Sequence, residues 1–585
     1  MSILRKRLSR VALGEEPGDI IINNGKVLNV YTGEVLQGQV VIAGERIAYV
    51  GREHNFPVGP DTLVIDVANQ TIIPGLIDGH IHLDAWLTLN EYSKLMLPRG
   101  TTAIVTECST FANAFGLQGV VDFVRGFADQ PMRMFAVAPV ISFICARGSK
   151  GRAISLAEME HLLTLPEVLG LGEIYWPALL YSEAEEGLTL LIEKAIQLGK
   201  TVEGHGAGAK DQKLAALAAR GIDACHEPIT APEVRDRLRL GLAAKIREGS
   251  IRQELIEVIK PLIEMNINLR RAILVSDGVW PDVLNSVGHM DHIVQKAINL
   301  GMEPVTAIQM ATLNVAEHFG LDRDLGGIAP GKCADLVVIP DIRTVEAQMV
   351  LCKGKVMAKK GTLLKGLPNI NYQEQIFKSV NISLVKPEDF KVFVPADIGE
   401  ISVRAIEMVT DIVNREAAIT LPVKDGVASV PATADVLKAA VFDRFEGGAQ
   451  RAVGFIKGYG MGQGALAASF SFDEGNLVVI GCNDDDMAAA VNRIRELQGG
   501  IVYCIGGEVT AEIPLPILGG ISELTGPKLA LELAAFIKVL KRAGCKGKNP
   551  LLTLFTLTFT AIPSLRLLSR GYWLSKESRV VDYLL

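Results

Sequence analysis

The sequence predicts an α/β protein built on a TIM-like (β/α)8 barrel, with a small all-β unit beside it and an α+β region after it. Three observations carry this. Short strand-like runs with turn signals fill residues 18–70. Eight apolar β runs then alternate with helical stretches over about 260 residues, the rhythm of a (β/α)8 barrel. After the helical stretch ending in "HFGL", β character returns in runs that look like the N-terminal ones.

Taken in order, "MSILRKRLSRVALGEEPGD" is basic and has no apolar h-region, so it is not a secretory signal and reads as a frayed or packed arm. "DIIINNGKVLNV", "GQVVIAGERIAYVG" and "TLVIDV" form the first β unit. The barrel runs are "TIIPGLI", "TTAIVTE", "MRMFAVAPV", "VLGLGEI", "TVEGHG", "IDACHE", "AAKIREG" and "RAILVSD", with amphipathic segments such as "DQKLAALAAR" between them. "GKCADLVVIPD" and "MVLCKGKVM" are expected to complete the first β unit. "KGLPNINYQEQIFKSVNISLVKPEDF" reads as a linker by its Pro, Asn and Lys content. From about residue 383 an α+β region follows, with "GNLVVIG" ahead of the helix "DDDMAAAVNRIRELQGG". "LLTLFTLTFTAIPSLRLL" is the most hydrophobic stretch, but four threonines, Pro563 and Arg566 break the run of about 20 apolar residues that a bilayer requires. Its alternation from Thr553 to Thr560 predicts a buried strand.

A chain of 585 residues exceeds a single core. A net charge of −7 argues against nucleic acid or an anionic membrane as a main partner. The eight cysteines are scattered without C-x-x-C, which fits reduced thiols in a cytoplasmic protein.

A barrel gathers its reactive groups where strands end. Those ends read His80 and His82, Glu107, nothing at the third strand, Glu173, His205, His226, Glu248 and Asp277. Residues i and i+2 of a strand share a face, so His80 and His82 can reach one ion. Alone, H-x-H is more simply a pair of solvated loop histidines, His205 a core histidine and Glu173 a helix-capping acid. Seven of eight strand ends carrying such groups, with four of the nine histidines among them, point to a metal site. Imidazole and carboxylate donors suit Mn, Fe, Zn or Co without choosing among them. Glu248 reads equally as a partner of Arg247 or a substrate contact. His289 reads as site-lining or structural, and His54 and His161 as surface. "GYGMGQGALAA" reads as a packing turn or as a Gly-rich loop over the barrel mouth.

These motifs resemble the amidohydrolase superfamily: H-x-H after "PGLID", Glu at strand four, one His each at strands five and six, and Asp at strand eight. "LGLGEI", "CHEPIT", "GHMDHIVQKAINLGMEPVTAIQMATLNVAEHFGL", "IAPGKCADLVV", "GALAASFSFD" and "PLPILGGIS" narrow the resemblance to the bacterial adenine deaminase family, over nearly the whole chain. The resemblance implies a flanking β-sandwich from residues 1–70 and 325–365, a barrel over 71–324, and a family-specific C-terminal α+β domain over 383–585. It implies two divalent ions per subunit (Mn, Fe or Zn). His80 and His82 would hold one with Asp277 beside them, His205 and His226 the other, and Glu173 would bridge. Hydroxide bridging the ions would attack an sp² carbon while Asp277 moves the proton, with Glu173 and Asp277 as the catalytic carboxylates. A cytoplasmic homo-oligomer acting on a small heterocycle is expected.

Three motifs depart from that family. Its "HIES" is His82-Leu83-Asp84-Ala85 here, its "DPHE" is Glu107-Cys108-Ser109-Thr110, and its "TDD" is Ser276-Asp277-Gly278. Asp84, Trp86, Glu107, Ser109, Glu248, Ser276 and His289 are the candidate substrate contacts. Trp86 could stack on a flat ring or fill vacated volume. Hydrolysis of adenine to hypoxanthine and ammonia leads. Ring opening of an oxidised purine such as xanthine is the alternative, and a non-catalytic purine binder the third reading.

Overall fold

The computed structural model describes residues 2–145, 154–367, 372–395, 398–431, 434–445, 447–448, 450–562 and 564–585. At its centre eight parallel strands follow one another in chain order: Leu76–His82, Thr101–Glu107, Arg133–Ala138, Val168–Tyr175, Thr201–His205, Ala224–Cys225, Ala243–Arg247 and Ala272–Val275. A parallel bridge between Ile81 and Asp277 brings the first and last strands edge to edge, and the Asp277 N–H donates to the His80 carbonyl at 2.9 Å. Each of the eight runs read from the sequence forms a barrel strand. Parallel strands are covered on both faces and so read as continuous apolar runs; Thr101–Glu107 and Ala272–Val275 are buried throughout. The helices around them are one-sided. Glu185–Gln197 buries Leu188, Leu191, Ile192 and Ala195, the spacing of a single helical face.

"TIIPGLI" divides at Gly75. Thr71–Pro74 belongs to the flanking sheet, and the barrel begins only at Leu76. A Cβ at Gly75 would collide with the Thr102 side chain, so this crossing between two sheets needs glycine. The flanking sheet has nine strands. Leu336–Ile339 lies antiparallel to Thr71–Pro74, so the chain beyond the barrel does rejoin its N-terminal strands. The basic N-terminus is a helix, Ser2–Ala12, packed against that sheet through Leu8 and Val11, with Arg7 paired to Asp19.

The C-terminal region is built on a ten-stranded sheet backed by the helix Asp484–Leu497. Asn483 caps that helix by accepting the Asp486 N–H at 2.8 Å, and three aspartates in its first turn suit the positive end of the helix dipole. Two sequence expectations fail here. The described part of the expected linker is packed: Val380, Val385 and Phe390 sit in the core under that helix. And the Thr553–Thr560 stretch is no strand. Pro550–Phe555 is a helix, begun by Pro550 behind the Asn549 cap, and Thr556–Thr558 continues it as a 3-10 turn. Every residue from Leu551 to Thr558 is buried, so apolar–threonine alternation there reports no solvent face at all. Among the described residues no helix is long and apolar enough to cross a membrane.

Candidate active site

The barrel rim brings His80, His82, Glu173, His205, His226 and Asp277 together. Glu173 divides its two oxygens between two imidazole pairs. Oε1 lies 3.4 Å from His80 Nε2 and 3.2 Å from His82 Nε2. Oε2 lies 3.9 Å from His205 Nε2 and 3.7 Å from His226 Nε2. Asp277 Oδ1 joins the first pair at 3.6 and 3.4 Å. These spacings are long for charge-assisted hydrogen bonds. They are close to the edges of a coordination shell, since two donors each about 2.1 Å from a tetrahedral ion lie about 3.4 Å apart. Donor atoms of His80, His82 and Glu173 lie within 4.8 Å of one another, as do those of Glu173, His205 and His226. His80 Nε2 is buried with no hydrogen-bond partner among the described residues. The residues present therefore fit divalent cations.

The electrostatics agree. Burial disfavours a charged imidazole, yet Asp277 and Glu173 raise His80 to about 9 and His82 well above its ordinary value. Burial likewise opposes ionisation of Glu173 and Asp277, but the facing imidazoles, with Arg247 at Asp277, hold both carboxyls well below the usual range. Protons on His80 and His82 thus supply positive charge that these carboxylates demand. Asp277 has φ 58° and Trp86 φ 70°, left-handed conformations uncommon outside glycine, so the rim is held in a strained shape by its surroundings.

A cavity of about 1100 Å³, including its open mouth, stands over this rim. Asp84, Trp86 and Ser109 line it, and Thr110 donates its N–H to Asp84 Oδ2 at 2.7 Å. Glu107 does not reach the cavity; it sits beneath Glu173, accepting that residue's N–H at 3.1 Å, and burial together with the Glu173 charge pushes it up to about 8. Glu248, Ser276 and His289 are not brought there either. They line a separate small cavity behind the strand ends. Glu248 pairs with Lys296 at 2.6 Å rather than with Arg247. Ser276 Oγ and His289 Nε2 both engage Asp78, at 2.5 and 3.0 Å. His54 and His161 are exposed, as expected.

Several residues at the site escaped the sequence reading. Glu227 Oε1 lies 3.3 and 3.5 Å from the Nε2 atoms of His205 and His226. Buried Arg247 bonds Glu227 and also reaches Asp277 Oδ2 at 3.3 Å and Glu254 Oε1 at 3.1 Å. Glu227 follows His226 directly, a signal that was available. Tyr175 shares a strand face with Glu173 at i+2, also legible. The roof was not legible: Phe470, Asp473, Phe559 and Ile562 of the C-terminal region close the cavity from above. Trp86 packs against Phe470 and Phe555 from that region and against Trp280 from the barrel, with ring centroids 4.8–5.6 Å away. It therefore both lines the cavity and fills volume. The Gly-rich turn is a packing turn: Gly462 N–H donates to the Ala543 carbonyl and the Lys546 N–H to that of Tyr459, at 3.0 and 2.8 Å.

An eight-stranded barrel with imidazoles and carboxylates converging at this rim defines the class, a hydrolase of carbon–nitrogen bonds on the amidohydrolase plan, and residues 71–357 match the Amidohydrolase family. Residues 411–578 match the Adenine deaminase C-terminal domain. The chain is 36% identical over 584 residues to an adenine deaminase of Moorella thermoacetica, spanning 99% of this chain and 97% of that one. It is 32% identical to adenine deaminase 3 of Rhizobium meliloti, across 97% of both chains. The chain belongs to the adenine deaminase family. Among solved structures, a β-aspartyl dipeptidase of Fervidobacterium islandicum is similar at TM-score 0.47 and 17% identity, covering 60% of this chain and 98% of that one.

Proposed function

We propose that this protein hydrolyses adenine to hypoxanthine and ammonia, using two divalent ions (Mn, Fe or Zn) held by His80, His82 and Asp277 on one side and His205 and His226 on the other, with Glu173 between. The observation that carries the reading is the split of Glu173, one oxygen facing each imidazole pair. Bound there, divalent cations supply an acidified water and an electrophile.

The chain's own groups do the rest. Asp277 stays ionised beside His80 and His82, so it can accept the proton of the attacking water. As the new C6–O bond forms and the C6–N bond breaks, the same carboxyl returns that proton to the departing exocyclic nitrogen. Arg247 holds the other Asp277 oxygen and keeps the carboxylate aimed at the rim. Trp86, Trp280 and Phe559 present aromatic faces and edges to a flat ring, while the roof limits access of bulk water. In the altered "HLDA" and "ECST" segments, Asp84 and Ser109 set polar groups on the cavity wall.

The test is ammonia release from adenine by protein loaded with Mn, Fe or Zn in turn. Release with formation of hypoxanthine supports the reading. Untouched adenine alongside loss of ring absorbance from xanthine would replace deamination with ring opening.

A further inference from the structure

Among the described residues the roof of the cavity carries one carboxylate, Asp473, distant in sequence from every barrel strand. It is 8% exposed, lines the cavity, and adopts φ 68°. Its surroundings over-determine that conformation. Oδ1 accepts the Tyr175 hydroxyl at 2.7 Å; Oδ2 accepts the Thr560 N–H at 2.7 Å and its hydroxyl at 2.5 Å. The Asp473 carbonyl accepts from Asn113 Nδ2 at 2.6 Å. A carboxylate offers about four acceptor positions. Three are taken, and the fourth belongs to a group that borders the cavity.

Tyr175 fixes where this carboxylate stands. Its ring meets the His205 ring edge-on with centroids 4.9 Å apart, and its hydroxyl donates to Asp473. Asp473 and the second imidazole pair thus share one tyrosine and line one cavity, the carboxylate on the roof and the imidazoles at the rim. With purine C6 at the rim, the part of the base turned towards the roof is the five-membered ring. In a free base that ring carries one N–H; in a nucleoside the nitrogen is alkylated.

We propose that Asp473 is a specificity-determining residue, by which the C-terminal region accepts a hydrogen bond from the five-membered-ring N–H of a free purine base and so rejects nucleosides. The inference rests on the adenine reading above. Through Tyr175 the same carboxylate joins the roof to the strand carrying Glu173, so a bound base is read at both ends by groups held in one hydrogen-bonded frame. A buried acceptor left unpaired by an alkylated ring is what makes such a site discriminating.

The experiment compares adenine, 7-methyladenine and 9-methyladenine on the metal-loaded full chain, wild type and Asp473→Asn. Steady-state rates are read beside equilibrium binding of the same bases, followed by tryptophan fluorescence. In the variant the amide oxygen can keep the Thr560 bonds while the NH2 faces Tyr175 and the ring. Wild type should lose at least 10-fold in kcat/KM and in affinity on one methyl isomer. Asp473→Asn should raise KM for adenine about 10-fold with kcat within about 3-fold, and should shrink the preference for adenine over that isomer. Equal handling of all three bases by wild type overturns the proposal, with no variant needed. A variant that keeps the wild-type preference and loses only thermal stability also overturns it, leaving Asp473 a structural tie. Wild type that binds adenine selectively without releasing ammonia fails the parent reading while sustaining this one; wild type that neither binds nor deaminates any of the bases ends both.

Discussion

At the scale of single residues, the centre depends on who faces whom. Glu173 sets one oxygen against each imidazole pair, so on the two-ion reading Glu173→Ala is expected to reduce bound metal from two equivalents to one or fewer, measured by elemental analysis of protein reloaded with Mn; full occupancy of both positions would refute the bridge. Arg247 is 2% exposed and serves Glu227, Glu254 and Asp277 at once. Removing one partner of a buried ionic network costs about 3–5 kcal/mol. Arg247→Met should therefore lower unfolding stability by that order in urea titrations and cut kcat at least 10-fold, because Asp277 loses its second support. These contacts show how partial a sequence reading is at this scale. His80 and His82 announce themselves by spacing, and Glu227 by adjacency to His226. Glu248, Ser276 and His289 looked equally apt, but a residue at the turn of a barrel strand can point to either side of the rim. Lys296 and Asp78 draw these three away.

At the scale of elements, the barrel strands carry charge inside as well as at their ends. Within the fifth strand, Glu203 is bonded to Lys245 Nζ at 2.5 Å and His318 Nε2 at 2.6 Å. Burial opposes its ionisation, but the Lys245 ammonium and the bonded His318 ring hold it down at about 2. A carboxyl depressed on folding stabilises the native state above its unfolded value near 4.5 and loses that contribution as pH falls towards 2. The shift corresponds to about 3 kcal/mol. Stability of the wild type should fall across that acid window more steeply than stability of Glu203→Gln, measured by denaturant titration at stepped pH; parallel curves would deny the trio its role. Gly75 makes the crossing from flanking sheet to barrel. Gly75→Val should cost about 1–3 kcal/mol of stability through its collision with Thr102. Elements were legible where burial left a signature: continuous apolar runs for barrel strands, a one-sided stripe for helices. Pro550–Thr558 was misread because it is buried on every side, and there helix and strand leave the same composition.

At the scale of the whole molecule, barrel and C-terminal region share one core. Trp86, Leu87, Phe470, Ile521, Leu529 and Phe555 belong to a single continuous cluster, and the Trp86 N–H donates to the Gly520 carbonyl at 2.8 Å. The active cavity is the space left where the two meet. Metal uptake into it must displace the protons that Asp277 and Glu173 keep on His80 and His82. Since His80 sits at about 9, apparent affinity for Mn or Zn should rise steadily as pH climbs from 6 towards that value, with protons released on binding. Chelator competition at stepped pH checks this; a flat profile would mean that the imidazoles are already neutral without metal.

The amino-acid order by itself determined the eight barrel runs, the six imidazole and carboxylate residues that the rim gathers and the family, because strand period, helix stripe and motif spacing are written within a few neighbouring residues. The family resemblance already implied Glu173 between the two imidazole pairs; only tertiary structure decided that Arg247 serves three carboxylates and that Asp473 and Phe470 roof the cavity. Those meetings join side chains of different elements, up to the 298 positions between Tyr175 and Asp473, through packing, and packing leaves no local periodicity for a sequence to display.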